Sequence, residues 1–260
     1  MSTIPFFQVD AFATAPFTGN PAAVMPLERW LDDKTMQAIA AENNLSETAF
    51  TVPSDKAGAD YDLRWFTPTV EVALCGHASL AAGHILIHGS TLVRFSTRSG
   101  ILAVNLAGDL LELDVPASAV EPGDVPGLLD ALGVTGETFL SRGGNGNAIV
   151  LLPDEAAVRA VQPDFAKLAT IDRLVSVTAP GDEQDIASRV FAASYGIPED
   201  PVTGAAHAAL APFWARRLGR ESFTALQASA RTGLLHCRMA GDRVILGGHC
   251  VTVIEGHFQL

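Results

Sequence analysis

Apolar and polar residues alternate in short bursts through the first half of the chain, at Phe6 to Phe12, Ala22 to Met25, Thr48 to Val52, Tyr61 to Phe66, Leu92 to Ser96, Ile101 to Leu106 and Leu110 to Val115. A period of two predicts strands with one side turned to a core. Two segments depart from it. Asp32 to Glu42 returns apolar residues at helical spacing behind a candidate Asp cap, and Gly76 to His88 is apolar almost all round, which predicts a helix enclosed by other structure.

A stretch rich in Pro, Gly and acidic residues, Pro116 to Gly127, interrupts the pattern and marks a boundary. Beyond it the same order returns. Strands are expected near Ala148 to Leu152, Leu174 to Val177 and Ile186 to Ala192, then a long apolar helix from about Thr203 to Leu218. Further strands follow near Phe223 to Ser229, Leu234 to Met239, Val244 to Leu246 and Cys250 to Ile254. The two apolar helices begin alike, Cys75-Gly76-His77-Ala78-Ser79-Leu80-Ala81 against Thr203-Gly204-Ala205-Ala206-His207-Ala208-Ala209. An internal duplication explains this, and so does a mere sharing of strand-helix-strand content. The expected division is 1–117 and 118–260, with the final strand free to return to the first domain.

Composition narrows the function. With 260 residues, 48% of them apolar, the chain has enough for one large core or two medium ones, which excludes disorder. A net charge of −12 repels a phosphate backbone, so nucleic acid is not an expected partner. Neither a membrane span nor a leader with a basic start is read, and the expected compartment is the cytoplasm. Cys75, Cys237 and Cys250 form no C-x-x-C pair and are odd in number, which suits free thiols in a reducing environment.

Chemistry concentrates in a few places. Glu47, between a helix and an apolar strand, is either a solvated carboxylate or a desolvated one whose pKa is raised toward that of a working acid or base. Cys75 and His77 bracket Gly76 at a helix start, where free amides attract carboxylates and enolates. His77 reads as a proton shuttle or as a packed residue, and Cys75 as a small structural residue or a thiolate of lowered pKa. In Pro198-Glu199-Asp200-Pro201-Val202-Thr203-Gly204, Asp200 is a candidate acceptor for a substrate group, and Thr203 a cap that leaves the amides of Gly204 and Ala205 for a ligand. His207, His236, His249 and His257 lack ligand spacing and read as packed or surface histidines, so no metal is expected. Nucleotide-binding glycine motifs are absent, and Gly143 to Asn147 reads as a hairpin connection.

Taken in order along the chain, these segments resemble the PhzF family, phenazine-biosynthesis-like proteins of the diaminopimelate epimerase fold. The resemblance is carried by Phe7-Gln8-Val9-Asp10-Ala11-Phe12 with Gly19-Asn20-Pro21-Ala22-Ala23-Val24, by Asn44-Leu45-Ser46-Glu47-Thr48-Ala49-Phe50 and by Arg64-Trp65-Phe66-Thr67-Pro68. Cys75-Gly76-His77-Ala78, Glu199-Asp200-Pro201-Val202-Thr203-Gly204 and Gln227-Ala228-Ser229-Ala230-Arg231-Thr232-Gly233 complete it. It implies an α+β fold of two similar domains, each a barrel-like, mainly antiparallel sheet wrapped around a central helix, with the active site in a cleft between them. It further implies a homodimer, no cofactor, and a small carboxylate-bearing substrate.

By the same resemblance Glu47 is the acid/base that moves a proton between carbons, while His77 and Asp200 position the substrate and relay protons. The amides of Gly76, Gly204 and Ala205 hold its carboxylate. Two departures stand out: Ala205 replaces the usual Ser, and Thr203 stands where related epimerases keep a second catalytic cysteine opposite the place of Cys75. The expected activity is therefore a Glu-based isomerase. The alternatives are a one-base amino- or hydroxy-acid epimerase using Cys75, and a binding protein on the same fold.

Overall fold

A computed structural model describes residues 3–141 and 146–260. Residues 143–145 of the expected hairpin connection lie outside the described residues. Two compact units emerge, one running to Asp114 and taking in Gly247–Leu260, the other spanning Val115–Leu246.

The first unit contains β1 (Thr3–Ala11), β2 (Asn20–Pro26), α1 (Asp33–Asn43), β3 (Glu47–Pro53), β4 (Tyr61–Phe66) and β5 (Glu71–Val72). It continues with α2 (Gly76–Leu86), β6 (Leu92–Thr97), β7 (Gly100–Ala107) and β8 (Leu110–Pro116). The second holds β9 (Val120–Pro122), α3 (Leu128–Leu132), β10 (Glu137–Ser141), β11 (Asn147–Leu151), α4 (Glu155–Ala160), α5 (Phe165–Leu168), β12 (Leu174–Pro180) and β13 (Ile186–Ala192). After them come β14 (Ile197–Asp200), α6 (Gly204–Leu218), β15 (Ser222–Gln227), β16 (Gly233–Ala240) and β17 (Arg243–Gly248), and β18 (Cys250–Gln259) closes the chain. The architecture is α+β, a mixed sheet that stays open.

Strand pairing follows one scheme in both units. In the first, β1–β2 is antiparallel, β2–β3 parallel, β3–β4 and β4–β5 antiparallel, and β4–β6 parallel. In the second, β10–β11, β11–β12, β12–β13, β13–β14 and β13–β15 repeat those five senses in order. A twofold use of one strand plan is what an internal duplication leaves behind. The last strand departs from simple succession: β18 lies antiparallel to β1, from Thr3 opposite Gln259 to Ala11 opposite Cys250. The division at 117/118 leaves the final strand free to return to the first domain, since local pattern by itself does not say which distant edge a strand will join.

Each unit buries most of one helix. Residues His77 to Gly83 of α2 are all buried, and the helix packs on β1, β2, β3 and β7. The fit is close, since a Cβ on Gly83 would lie 2.5 Å from Val104 Cγ1. On α1, Met36, Ile39 and Ala40 join Met25, Phe50 and Phe66 in a separate core, so β3 is covered on both faces and is buried nearly end to end. In α6, Pro212 cannot donate to the carbonyl of Ala208, and that carbonyl accepts instead from Ser118 N at 2.8 Å. Among the described residues no helix is long and apolar enough to cross a membrane.

Candidate active site

The local sequence accounts for where Glu47 stands. Asn44 takes the left-handed conformation (φ 48°) that ends α1, and the chain turns through Leu45 and Ser46 into β3, whose first residue is Glu47. Parallel pairing sets Glu47 opposite Ala22 of β2, two residues from Asn20 at the start of that strand. Gly19, just before it, has φ +68°, and a Cβ there would meet the Ala11 carbonyl at 2.3 Å, so only glycine permits this approach. Tight packing of α2 on the same strands brings its start to the same place.

Three side chains converge there. Glu47 Oε2 lies 3.1 Å from His77 Nε2, and the Cys75 sulfur lies 3.5 Å from His77 Nδ1. The Glu47–His77 contact has ion-pair distance without hydrogen-bond alignment, and among the described residues neither atom has another hydrogen-bond partner. Donor atoms of all three residues lie within 4.8 Å of one another, a carboxylate, thiol and imidazole set able to take a cation. Ligand-spacing motifs do not reveal such a set, because Glu47 comes from a different element.

Electrostatics correct two expectations. Burial raises the Glu47 pKa, as desolvation should, but the nearby His77, with a smaller contribution from Cys75, outweighs it, so the carboxyl is held below its ordinary range. His77 moves the other way: burial opposes its charge, and the Cys75 sulfur and the Glu47 carboxylate lift it well above its ordinary value. Cys75 is no lowered-pKa thiolate, for burial and the neighbouring Glu47 charge push it up to about 11. At neutral pH it is a thiol, which leaves Glu47 as the anion that charges His77. Glu47 rests as a carboxylate, and its charge favours the protonated form of the His77 ring.

The second unit has a matching helix start with different chemistry. Thr203 is the residue before α6, but its side chain does not cap the helix; its hydroxyl donates to Asp200 Oδ2. The amide of Thr203 is taken by Gln227 Oε1 at 2.9 Å, and Gln227 Nε2 donates to the Asp200 carbonyl at 2.7 Å. Gln227 is fully buried, so it pins the loop that carries Asp200. Gly204 is buried and Ala205 exposed. His207 is buried beside this start, His236 and His249 are half-buried and His257 is exposed.

Sequence reasoning assigned no role to Asn20, Ser46 or Gln227, though each lies inside a motif it singled out. Asn20 Nδ2 is 3.3 Å from His77 Nδ1, and Ser46 Oγ donates to Asn20 Oδ1 at 3.1 Å. Their signal was a polar residue of strong hydrogen-bonding capacity next to an apolar strand.

A family model of phenazine biosynthesis-like proteins matches residues 9–256. The chain belongs to the PhzC-PhzF family. This member is 49% identical to an uncharacterised isomerase of Pseudomonas aeruginosa, over 99% of each chain. It superposes on a PhzF-family crystal structure from Enterococcus faecalis with a TM-score of 0.93 and 43% identity, all of both chains being covered. A hydroxyproline epimerase from Agrobacterium vitis, 13% identical, shares the fold with a TM-score of 0.61, covering 98% of this chain and 92% of that one. This family member is an isomerase.

Proposed function

We propose that the protein is a cofactor-independent isomerase of a small carboxylate-bearing metabolite in which Glu47 moves a proton from one carbon to another. The observation that carries this reading is the buried Glu47–His77 pair, in which the ring nitrogen 3.1 Å away helps hold the Glu47 carboxyl below its ordinary range, ionised and ready to act as a base. Glu47 breaks a C–H bond by taking the proton on its oxygen, and the electron pair passes into the conjugated system of the substrate. Glu47 then returns the proton at a second carbon, so the substrate is neither oxidised nor reduced.

The first-turn amides of α2, starting at Gly76, supply positive potential for the developing anion. Asp200, Thr203, Gly204 and Ala205 are read as substrate-holding groups on the matching helix start. The printed names of the relatives, isomerases and an epimerase, support the reaction class.

The test is incubation in deuterated water with a panel of cyclic and acyclic carboxylates, followed by mass spectrometry. Wild type is expected to incorporate deuterium into at least one compound, and Glu47→Gln to lose this by about a hundredfold or more. Undiminished uptake by Glu47→Gln, with loss in Cys75→Ser, would move the base to the thiol. Tight binding of a panel member with no exchange in either protein would indicate a binding protein.

A further inference from the structure

The second unit holds a cavity that proton transfer by Glu47 leaves without a role. It measures about 240 Å³ and lies between β9, β10 and the far half of α6. Proline helps to form it: Pro212 leaves the Ala208 carbonyl open, the Ser118 amide takes that carbonyl at 2.8 Å, and residues 119–122 are seated alongside the helix. Strand alternation in β9 turns Val120 and Pro122 into the cavity and Glu121 to the other face. Phe139, opposite Pro122 in β10, and Phe213 of α6 complete an apolar lining, their rings 4.9 Å apart and edge to face.

Arg216 and Arg217, adjacent in the last turn of α6, border the same cavity. The Arg217 guanidinium lies over Phe213, 3.6 Å from the ring centroid, and over Phe139 at 4.8 Å, so aromatic faces hold it in place. Among the described residues no carboxylate comes within ion-pair distance of either guanidinium. Glu137, two places before Phe139 on the same face of β10, acts on Arg217 only through its charge, while burial and the charge of Arg216 hold Arg217 below its ordinary value. The end of a helix supplies only about half a negative charge, which leaves two adjacent guanidiniums undercompensated in a chain whose net charge is −12.

We propose that this cavity binds a small monocarboxylate with a compact apolar body, the carboxylate held by Arg216 and Arg217 and the body lying on Pro122, Pro212 and the two rings. Guanidinium N–H groups match the two oxygens of a carboxylate and make charge-assisted hydrogen bonds to it. Size limits the body: a cavity of about 150 Å³ holds benzene and drug-sized ligands take roughly 300 Å³ or more, so a single ring fits and a nucleotide does not. The lining distinguishes such a compound from free phosphate, because it buries carbon and offers no polar side chain besides the two arginines. None of these residues belongs to the Glu47 machinery, so the proposal stands apart from the isomerase reading.

The experiment is a titration of the methyl-labelled full-length protein with benzoate, read by NMR at the Val120 methyl groups, which are assigned by their loss in Val120→Ala. Benzoate is expected to shift these signals saturably. Benzyl alcohol, which keeps the ring without the charge, and inorganic phosphate, which keeps a charge without the ring, are expected to bind about tenfold more weakly or worse. The double variant Arg216→Gln/Arg217→Gln is expected to weaken benzoate by about tenfold or more.

Ala119→Phe, at an exposed position on the cavity wall, covers the case in which loss of the Arg217 stacking disturbs the fold. It is expected to fill the cavity and abolish the benzoate shifts. Val120 signals that benzoate leaves unmoved in wild type overturn the proposal, including the case in which benzoate binds elsewhere on the protein. Equal benzoate affinity in wild type and the folded double variant, or phosphate binding as tightly as benzoate, reduces the site to unspecific anion attraction and overturns it too. Val120 signals that follow protein concentration and ignore benzoate would give the cavity to a second copy of the chain. Methyl spectra need no turnover, so failure of deuterium exchange in wild type would sink the isomerase reading without touching this one.

Discussion

His207 is fully buried with Nδ1 2.8 Å from the Thr203 carbonyl, so that nitrogen carries the ring proton, and Nε2 has no partner among the described residues. Burial drives its pKa down to about 4. The unfolded chain takes up a proton at this residue from about pH 6.5 downward while the folded protein does not, so stability falls as pH drops from 6.5 to 4. The full effect is on the order of 3 kcal/mol. His207→Asn should flatten the dependence of urea-unfolding free energy on pH in that interval.

The Glu47–His77 pair imposes the opposite trend at higher pH. Glu47, depressed from 4.5, contributes fully above that value and loses its contribution as pH falls through its folded value. His77, raised from 6.5, contributes fully below 6.5 and loses its contribution as pH rises through its folded value. Glu47→Gln should therefore weaken the alkaline decline in stability, as thermal unfolding over a pH series will show. The signs of these shifts were not legible in the sequence. Position suggested burial of Glu47, but whether desolvation or a partner prevails depends on a histidine thirty residues away, and for Cys75 burial prevailed.

Among the elements, close approach sets the sharpest limits. Gly83→Ala would drive a methyl group into Val104 and is expected to destabilise the first unit by about 1–3 kcal/mol, with Val104→Ala restoring part of the loss in a double-mutant cycle. In the second unit, Trp214 Nε1 donates to Thr178 Oγ1 at 3.0 Å, and that hydroxyl donates to the Ala187 carbonyl at 2.8 Å. Thr178→Val keeps the shape but strands the indole N–H, an expected loss of about 1–3 kcal/mol in urea unfolding.

Long strands and the two apolar helices were readable because their periodicity persists over several residues. β5, β9 and β14 were not, since two to four residues are too few to show alternation. The short helices α4 and α5 did leave a signal: Asp154 caps the amide of Ala157, and Asp164 that of Lys167.

Across the molecule the repeat extends beyond strand order. Arg64 donates to both Glu71 oxygens at 2.7 and 2.8 Å and lies over Phe66, while Arg189 donates to both Glu199 oxygens at 2.8 and 2.9 Å and lies over Phe191. In each unit the glutamate precedes the residue before the buried helix by four positions, Glu71 to Cys75 and Glu199 to Thr203. Ser79 and His207, aligned in the two helices, both bond to the carbonyl of that preceding residue. A chain ending at His249 removes the strand beside β1 and is expected to leave the first unit open to proteolysis while a fragment near Val115–Leu246 persists. Equal digestion of both units would contradict this.

Alternation, caps and the order of motifs along the chain carry the strands, the two enclosed helices and the names of Glu47, Cys75, His77 and Asp200, because each depends on neighbours close in sequence. Folding alone determines that β18 joins β1, that Asn20 and Ser46 stand behind His77, and that Glu47 is ionised. Those outcomes depend on groups far apart in the chain, whose distances and desolvation exist only once the strands and helices have packed.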